Sequence, residues 1–485
     1  MEMKQQTTFL GQPRGLGTLF FTELWERFSY YGMRAILLYY IIAKVSAGGL
    51  GMNHSMGLAI VSIYSSMVYL SSIFGGFLSD RILGAWRTVF IGGVLIMFGH
   101  ITLALPFGRP ALFVSIALIV MGTGMLKPNV SEMVGSLYSL NDTRRDAGFS
   151  IFVFGINFGA FIAPLLVGQA AKMFNYHIGF LLAAIGMFIG LIVFHTASRK
   201  SLSKATYYPT DPIQPEDIRP LIFKSIYGLT AIILIIILMY LYDALDLKAI
   251  ILLLSILAVM VPIVYFVTML TSRKTTHEER SRVRAYIPLF LAAMLFWSIE
   301  EQGAAILALF AHDQVRLPIW LNAAWFQSLN PMFIMLYTPI FAILWVKLGQ
   351  RQPKTPTKFG IGLLFAGISF LVMALPGFLF GINGLFSPWW LILSWALVEI
   401  AELLISPVGL SATTKLAPRA FRSQMMSMWF LSDATASAIN AQIVQFYTIN
   451  TEVRYFTVVG SITLLAGLLL LTQVKKISNA MVGID

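Results

Sequence analysis

Cysteine is absent from this 485-residue chain, and charged residues make up only 12% of it. Without cysteine the chain forms no disulfides and offers no thiolate ligands to a metal. Its histidines are scattered singly, and no two of them have the spacing of metal ligands: His54, His100, His177, His195, His277 and His312. We therefore expect no metal centre and no catalytic site that depends on cysteine or paired histidines.

Hydrophobic residues far outnumber the charged ones. Hydrophobic residues make up 58% of the chain, and they recur in stretches of about 20 residues, each long enough to cross roughly 30 Å of hydrocarbon. A short polar tail precedes the first stretch, so that stretch is expected to direct membrane insertion. The chain is predicted to be an all-α polytopic membrane protein. The predicted spans are 17–46, 54–80, 88–107, 111–138, 146–171, 177–197, 220–241, 249–271, 286–310, 319–346, 359–378, 388–414, 423–449 and 455–474.

The net charge of +12 could indicate a nucleic-acid partner, but its distribution favours another explanation. With the N-terminus inside the cell, 25 of the 34 lysines and arginines fall on the inner side of the predicted spans and six on the outer side. This bias is the positive-inside pattern of membrane proteins. We expect both termini in the cytoplasm, a location in the plasma membrane and no nucleic-acid partner.

The spans divide as six, two and six. Residues 198–219 and 272–284 are polar, basic segments on either side of the two central spans. The predicted units are an N-terminal six-helix bundle at 1–197, cytoplasmic linkers with two inserted spans at 198–284, and a C-terminal six-helix bundle at 285–485. Six-plus-six organisation is typical of secondary transporters whose halves rock about a central site.

The first span carries charges that a lipid-facing helix avoids. At about 100° per residue, Glu23, Glu26, Arg27, Tyr30 and Arg34 fall within roughly 60° of one line along the helix. A helix lying on the membrane surface is the alternative, but apolar sequence continues on both sides of the charges. The stripe is therefore expected to face a water-filled cavity between helices.

Further polar residues lie inside five other spans, at roughly 15–26 Å from their cytoplasmic ends when about 1.5 Å is counted per residue. Each has a simpler explanation, such as hydrogen bonding between helices or snorkelling to the interface. Of the two glutamates in the twelfth span, only Glu402 is expected to reach the cavity. The residues are Lys127, Asn157, Glu300, Glu301, Asn330, Glu399 and Glu402.

The charges separate between the two halves, with cations in the first and unpaired carboxylates in the second. Such a cavity complements a zwitterion with separated ends, for example a short peptide. The peptide carboxylate would meet Arg27, Arg34 or Lys127, and its ammonium group would meet Glu402 with Asn157 and Asn330. Glu23 and Glu26, beside Arg27 and Lys127, would form a coupled network able to exchange a proton for a salt bridge.

Several segments resemble one family. The loop GGFLSDRILGAWR (75–87) is similar to the loop motif of the major facilitator superfamily. ELWERFSYYGMR (23–34) resembles the ExxERFxYYG signature of the proton-dependent oligopeptide transporters within that superfamily. GFSIFVFGINFGAFIAP (148–164), FWSIEEQG and QSLNP resemble further patterns of the same family. Val153 departs from the second signature, because it occupies a place often held by tyrosine.

The resemblance implies the major facilitator fold, with 12 core helices in two halves and two extra helices between them, as in bacterial members. It implies proton-coupled import of dipeptides and tripeptides by a monomer, with no cofactor other than protons. The implied proton-coupling residues are Glu23, Glu26, Arg27 and Lys127. Gating salt bridges would join Arg34 and Lys127 to Glu300 or Glu301, of which Glu301, next to Gln302, matches better. Cavity aromatics would be Tyr30, Tyr31, Tyr69 and Trp297, and we add Trp429.

Other functions remain as alternatives. A family relative could carry nitrate, another small anion or a peptide-like compound, although an anion carrier has little use for Glu402. A membrane enzyme would need a nucleophile–base pair or a metal cluster, which the sequence does not supply. A purely structural or receptor protein does not explain so many ionisable groups at one depth.

Overall fold

The computed structural model describes residues 7–139, 142, 144–243, 245–382 and 384–483, and helices dominate it. A two-stranded hairpin, β1 (Thr7–Phe9) and β2 (Gln12–Pro13), precedes them. The helices are α1 (Arg14–Ile42), α2 (His54–Leu78), α3 (Ala85–Ala104), α4 (Gly108–Ser136), α5 (Arg145–Met173), α6 (Tyr176–Ser201), α7 (Pro215–Leu241), α8 (Leu247–Thr271), α9 (His277–Glu300), α10 (Ile306–Asp313), α11 (Leu329–Leu348), α12 (Thr355–Phe380), α13 (Trp389–Leu416), α14 (Arg422–Ile443), α15 (Glu452–Thr472) and α16 (Val474–Ala480).

The long helices pack as two bundles with two helices inserted between them in sequence. In the first bundle α1 packs on α5 and α6, and α4 packs on α2 and α3. In the second, α12 packs on α13 and α15, and α9 packs on α14. Of the inserted pair, α8 contacts α14 and α2, whereas α7 exposes the apolar side chains of its span. A helix that is apolar on all sides and packs on little protein is suited to lipid.

Twelve helical segments of the described chain are long and apolar enough to cross a membrane, and α1 and α14 are not among them. Charged residues lower the hydropathy of α1, and serine, asparagine and aspartate lower that of α14. Both helices nevertheless pack inside the bundle, α1 against α5 and α6, and α14 against α2 and α9. Their polar side chains therefore face protein or a cavity and not lipid.

The helix α9 begins at His277, before the predicted span at 286–310, so the second part of the polar segment 272–284 is helical. Thr276 and Glu279 form a capping box, in which each side chain accepts a hydrogen bond from the backbone N–H of the other residue. Such a cap satisfies the free N–H groups at a helix start. The apolar stretch that predicted the span begins about three turns after the cap.

A break interrupts the same membrane segment. The α-helix α9 ends at Glu300, a 3₁₀ turn follows at Glu301–Ala304, and α10 resumes at Ile306. Short 3₁₀ segments inside a helix often mark a hinge or a functional site. The two neighbouring glutamates lie on either side of this change of geometry.

The loop motif ties helices and linker together. A Cβ atom on Gly75 would collide with the carbonyl oxygen of Gly124, so only glycine lets α2 approach α4 this closely. Arg81 pairs with Asp211 of the linker and, at 3.4 Å, with Asp217 in the first turn of α7. The loop thus contacts the N-terminal end of the inserted helix α7.

The two bundles meet on one side of the molecule. The terminal face is the side on which α1 begins and α11 and α13 end, and the opposite side is the distal face. Near the distal face, Lys172 donates to the carbonyl oxygens of Ile319 (2.7 Å) and Leu321 (3.0 Å). Asn322 donates to the carbonyl oxygen of Gly168 at 2.7 Å. These contacts join the halves at their distal ends.

Candidate functional site

A cavity of about 560 Å³ lies between the two bundles. Its wall includes Trp345 and Leu410, close to the terminal-face ends of α11 and α13. Towards the distal face the halves are in contact, for example through the Tyr39 hydroxyl, which donates to the carbonyl oxygen of Ala308 at 3.0 Å. The cavity is therefore accessible from the terminal face and closed at the distal face.

Most of the residues that the sequence predicts for peptide binding line this cavity, and they come from both halves. Cations occupy the wall formed by the first bundle, and carboxylates occupy the wall formed by the second. The lining residues among the predicted set are Tyr31, Arg34, Tyr69, Lys127, Asn157, Trp297, Asn330 and Glu402. The predicted separation of charge is thus present in three dimensions.

Three predicted residues do not line the cavity in this structure: Arg27, Tyr30 and Trp429. Arg27 is drawn towards two carboxylates of its own helix, and Tyr30 stacks on Tyr64 within the first bundle. The ring of Trp429 lies behind that of Trp297, with 6.2 Å between their centroids. Helical spacing places residues on a stripe, but it does not decide which part of the stripe a neighbouring helix covers.

A compact charge cluster lies within α1. The Arg27 Nε atom is 3.0 Å from a Glu23 carboxylate oxygen and also pairs with Glu26. All three side chains are buried, and Glu26 is inaccessible to solvent. Lys127 of α4 lies close enough for its charge to act on both glutamates. This is the arrangement that the sequence predicts for Glu23, Glu26, Arg27 and Lys127.

One ion pair joins the two halves at the helix break. The Arg34 Nη2 atom of α1 lies 2.5 Å from a Glu301 carboxylate oxygen. Lys127 forms no ion pair within 4 Å among the described residues, and its Nζ atom lies 4.3 Å from the centre of the Tyr69 ring, at a distance suited to a cation–π contact. Of the predicted gating pairs, this conformation contains Arg34–Glu301 and not a bridge from Lys127 to Glu300 or Glu301.

The opposite wall is a carboxylate cluster from three helices. Asn330 of α11 donates through Nδ2 to Glu300 of α9 (2.6 Å) and to Glu399 of α13 (2.8 Å). One oxygen each of Glu300, Glu399 and Glu402 lies within 4.8 Å of the others. As expected, Glu402 reaches the cavity and Glu399 is fully buried. Among the described residues these carboxylates are placed to hold a cation such as an ammonium group or a hard metal ion.

The sequence reasoning missed some residues of the site. Phe341 and Trp345 line the cavity one turn apart on α11, and helical spacing from Asn330 alone gave no reason to select them. Asp433 of α14 was also missed, although it is only 2% exposed and lies near the cavity wall. An aspartate inside a predicted span was a sufficient signal.

Comparison with known proteins identifies relatives over the whole chain. A family model described as the POT family matches residues 86–462. A di-/tripeptide transporter of Lactococcus lactis subsp. lactis (strain IL1403) is 51% identical over 488 residues, which cover 99% of this chain and 98% of that protein.

Solved structures also match this chain over nearly its whole length. A crystal structure of a peptide transporter POT in complex with sulfate has 53% identity, a TM-score of 0.95 and full coverage of both chains. A POT family transporter in complex with 5-aminolevulinic acid has 42% identity and a TM-score of 0.93, with 97% of this chain and 98% of that chain covered. The resemblance carried by ELWERFSYYGMR is confirmed. The chain is a multi-pass membrane protein with the major facilitator superfamily fold, and it belongs to the POT family.

Proposed function

We propose that the protein is a proton-coupled symporter that imports dipeptides and tripeptides by alternating access. The observation that carries this proposal is the one-sided cavity between the halves, with Arg34 and Lys127 on one wall and Glu402 on the other. A zwitterionic peptide satisfies both walls at once, whereas nitrate or another small anion leaves the carboxylates without a partner. Relatives about 50% identical to this chain that are named di-/tripeptide transporters support the same substrate class.

The charge bias along the chain supports an orientation. Most lysines and arginines lie on the terminal face, which by the positive-inside rule is cytoplasmic. The cavity then opens to the cytoplasm, so the structure corresponds to the state that releases peptide. The protein would act as a monomer in the plasma membrane of a bacterium, with the units 1–197 and 285–485 moving relative to each other.

The volume of the cavity is compatible with a short peptide. A volume of about 560 Å³ is within the usual range for a small-molecule site, roughly 300–1,000 Å³. The peptide carboxylate would pair with Arg34 or Lys127, and the ammonium group would pair with Glu402 in the presence of Asn157 and Asn330. Aromatic side chains between the two walls leave space for varied peptide side chains.

Proton coupling would use the cluster on α1. Two carboxylates, Glu23 and Glu26, face one guanidinium, that of Arg27, so the cluster carries one carboxylate that Arg27 alone does not neutralise. A proton taken up by this cluster, or a closer approach of Lys127, would restore neutrality. Protons are the coupling ion in this proposal, and no further cofactor and no enzymatic reaction is involved.

Uptake of labelled dialanine into proteoliposomes tests the function. An imposed inward proton gradient is expected to drive accumulation above the outside concentration, and a protonophore should abolish it. Excess nitrate should not compete, and the recovered label should be intact dialanine. Failure to accumulate dialanine under the gradient would contradict the proposed symport, and recovery of free alanine would indicate an enzyme.

A further inference from the structure

Asp433 is a carboxylate that the proposed function has not used. It lies on α14 of the second bundle and is 2% exposed. The helix α14 packs against α2 of the first bundle as well as against α8 and α9, so Asp433 lies on a helix at the boundary between the halves. The Ser66 hydroxyl of α2 donates to the carbonyl oxygen of Ala434 at 2.7 Å, which fixes the two helices side by side at this level.

Tyr69 connects this interface to the cavity. It follows Ser66 by three residues on α2 and therefore lies on the same face, about one turn further along. Its side chain lies close to Asp433, because the Ser66–Ala434 hydrogen bond holds this part of α2 against α14. Its ring lies under the Lys127 ammonium group, with Nζ 4.3 Å from the ring centre. The side chain of Tyr69 thus lies between an aspartate of one half and a lysine of the other.

The charges explain why these groups belong together. A carboxylate buried in the membrane interior is costly unless it has hydrogen bonds or a nearby cation. Within its own helix Asp433 accepts a long hydrogen bond of 3.4 Å from the Ser437 hydroxyl. Lys127 and Arg34, both from the other half, lie close enough for their positive charges to act on Asp433, against the repulsion from Glu301. Arg34 already pairs with Glu301.

The surroundings of Lys127 also indicate Asp433 as its partner. Among the described residues Lys127 has no ion pair within 4 Å, and its ammonium group lies above an aromatic ring. Asp433 of the second bundle lies close enough for its charge to act on Lys127, as do Glu26 and Glu23 of the first bundle. Lys127 thus has a carboxylate of the other half among its neighbours.

We propose that Lys127, Tyr69 and Asp433 form a latch between the halves, separate from the Arg34–Glu301 pair. In this latch Asp433 is the anchor in the second bundle, and Tyr69 bridges it to Lys127. The latch stabilises the conformation that is closed at the distal face. Opening of that face would separate α2 from α14 and expose Asp433 to water. The inference rests on the proposed alternating-access function.

The absence of cysteine makes the conformation directly measurable. Val45 follows α1 and Phe446 follows α14, so both lie at the distal face but in different halves, and they are 73% and 66% exposed. Spin labels on Val45→Cys and Phe446→Cys in lipid nanodiscs would report the opening of that face as a longer distance between the labels. No native thiol competes for the label.

Asp433→Asn in this labelled protein is expected to raise the ratio of open to closed molecules about tenfold, because one charge-assisted contact is lost from the closed state only. Lys127→Gln should raise the ratio in the same direction from the other half, and it serves as the second variant if Asp433→Asn does not fold. Exchanging the two charges, Lys127→Asp with Asp433→Lys, should recover part of the closed population. Glu452→Gln, at a buried carboxylate of α15 away from the boundary between the halves, is the matched control and should leave the distances unchanged.

An unchanged distance distribution in both Asp433→Asn and Lys127→Gln would overturn the latch. So would a charge exchange that opens the distal face more than either single variant. The labelled protein without further changes must also accumulate dialanine in proteoliposomes. If it transports no peptide, the proposed function fails, and this outcome is separate from the distance result.

Discussion

Two buried charge clusters lie on opposite sides of the cavity, and they are built in different ways. The cluster in the first bundle consists of Glu23, Glu26 and Arg27, all on the unbroken helix α1. Arg27 pairs with a residue one position away and with another four positions away. The cluster therefore moves as one piece with its helix and contains its own cation.

The cluster in the second bundle draws on three helices. Glu300 comes from α9, Glu399 and Glu402 come from α13, and Asn330 of α11 is the shared donor between two of them. Among the described residues none of these carboxylates pairs with a lysine or arginine within 4 Å. Only their neighbour Glu301, displaced by the helix break, pairs with an arginine of the other half.

The difference between the two clusters suits them to two tasks, proton uptake in the first bundle and substrate binding in the second. A cluster with its own cation needs only a proton to become neutral, so it can respond to the proton gradient without substrate. A cluster of carboxylates without a cation is completed by the ammonium group of a substrate. The four predictions that follow test this division, from the largest expected effect to the smallest.

Glu26→Gln should reduce gradient-driven dialanine uptake to the level of protein-free liposomes, because it removes a buried carboxylate of the α1 cluster. Counterflow of peptide without a gradient should persist, since the cavity wall is unchanged. Both are measured in proteoliposomes. Glu216→Gln, at an exposed glutamate in the first turn of α7, is the control and should transport normally. Normal concentrative uptake by Glu26→Gln would show that the cluster does not couple protons.

Glu301→Ala and Lys127→Ala should each stop concentrative uptake, because each removes one member of the contacts between the halves. Reversal of both charges of the pair, Arg34→Glu with Glu301→Arg, should restore part of the transport, since the structure places these two side chains 2.5 Å apart. The same reversal of Lys127 with Glu301 should restore less. If both double variants recover the same amount of transport, Arg34 and Lys127 do not differ in how they pair with Glu301.

Glu402→Gln should weaken dipeptide binding by about 10- to 100-fold, the range for loss of a charge-assisted hydrogen bond. N-acetylated dipeptides, which have no ammonium group, should compete poorly with labelled dialanine for the unmodified protein. Competition binding measures both effects. If acetylated and free dipeptides compete equally, the amino end of the peptide is not recognised by the carboxylate wall.

Asn330→Ala should lower the stability of the protein by about 1–3 kcal/mol, because it leaves Glu300 and Glu399 without their shared donor in a buried site. Asn157→Ala is the matched control. Its amide donates to the carbonyl oxygen of Val153 in its own helix, at 3.0 Å, so its loss should cost less. Thermal unfolding of the two variants in the same detergent compares them. A smaller shift for Asn330→Ala than for Asn157→Ala would show that the carboxylates do not depend on Asn330.

The sequence by itself was sufficient for everything that depends on neighbours along one helix. Apolar stretches predicted the spans, because the thickness of the bilayer sets their length. The period of the helix predicted that Glu23 and Arg27 share one side of α1 and pair, because residues four positions apart lie about one turn from each other. The family signature in that segment predicted the fold, and comparison confirmed it.

Only the tertiary structure decided which of these residues reach the cavity and which groups meet across helices. It placed Arg34 and not Lys127 against Glu301, and it placed Asp433 beside Tyr69. Such outcomes depend on how helices cross and where one of them breaks. The spacing of residues along a single helix carries no information about the position of its neighbours, so charge pairs between helices become visible only when the helices are packed.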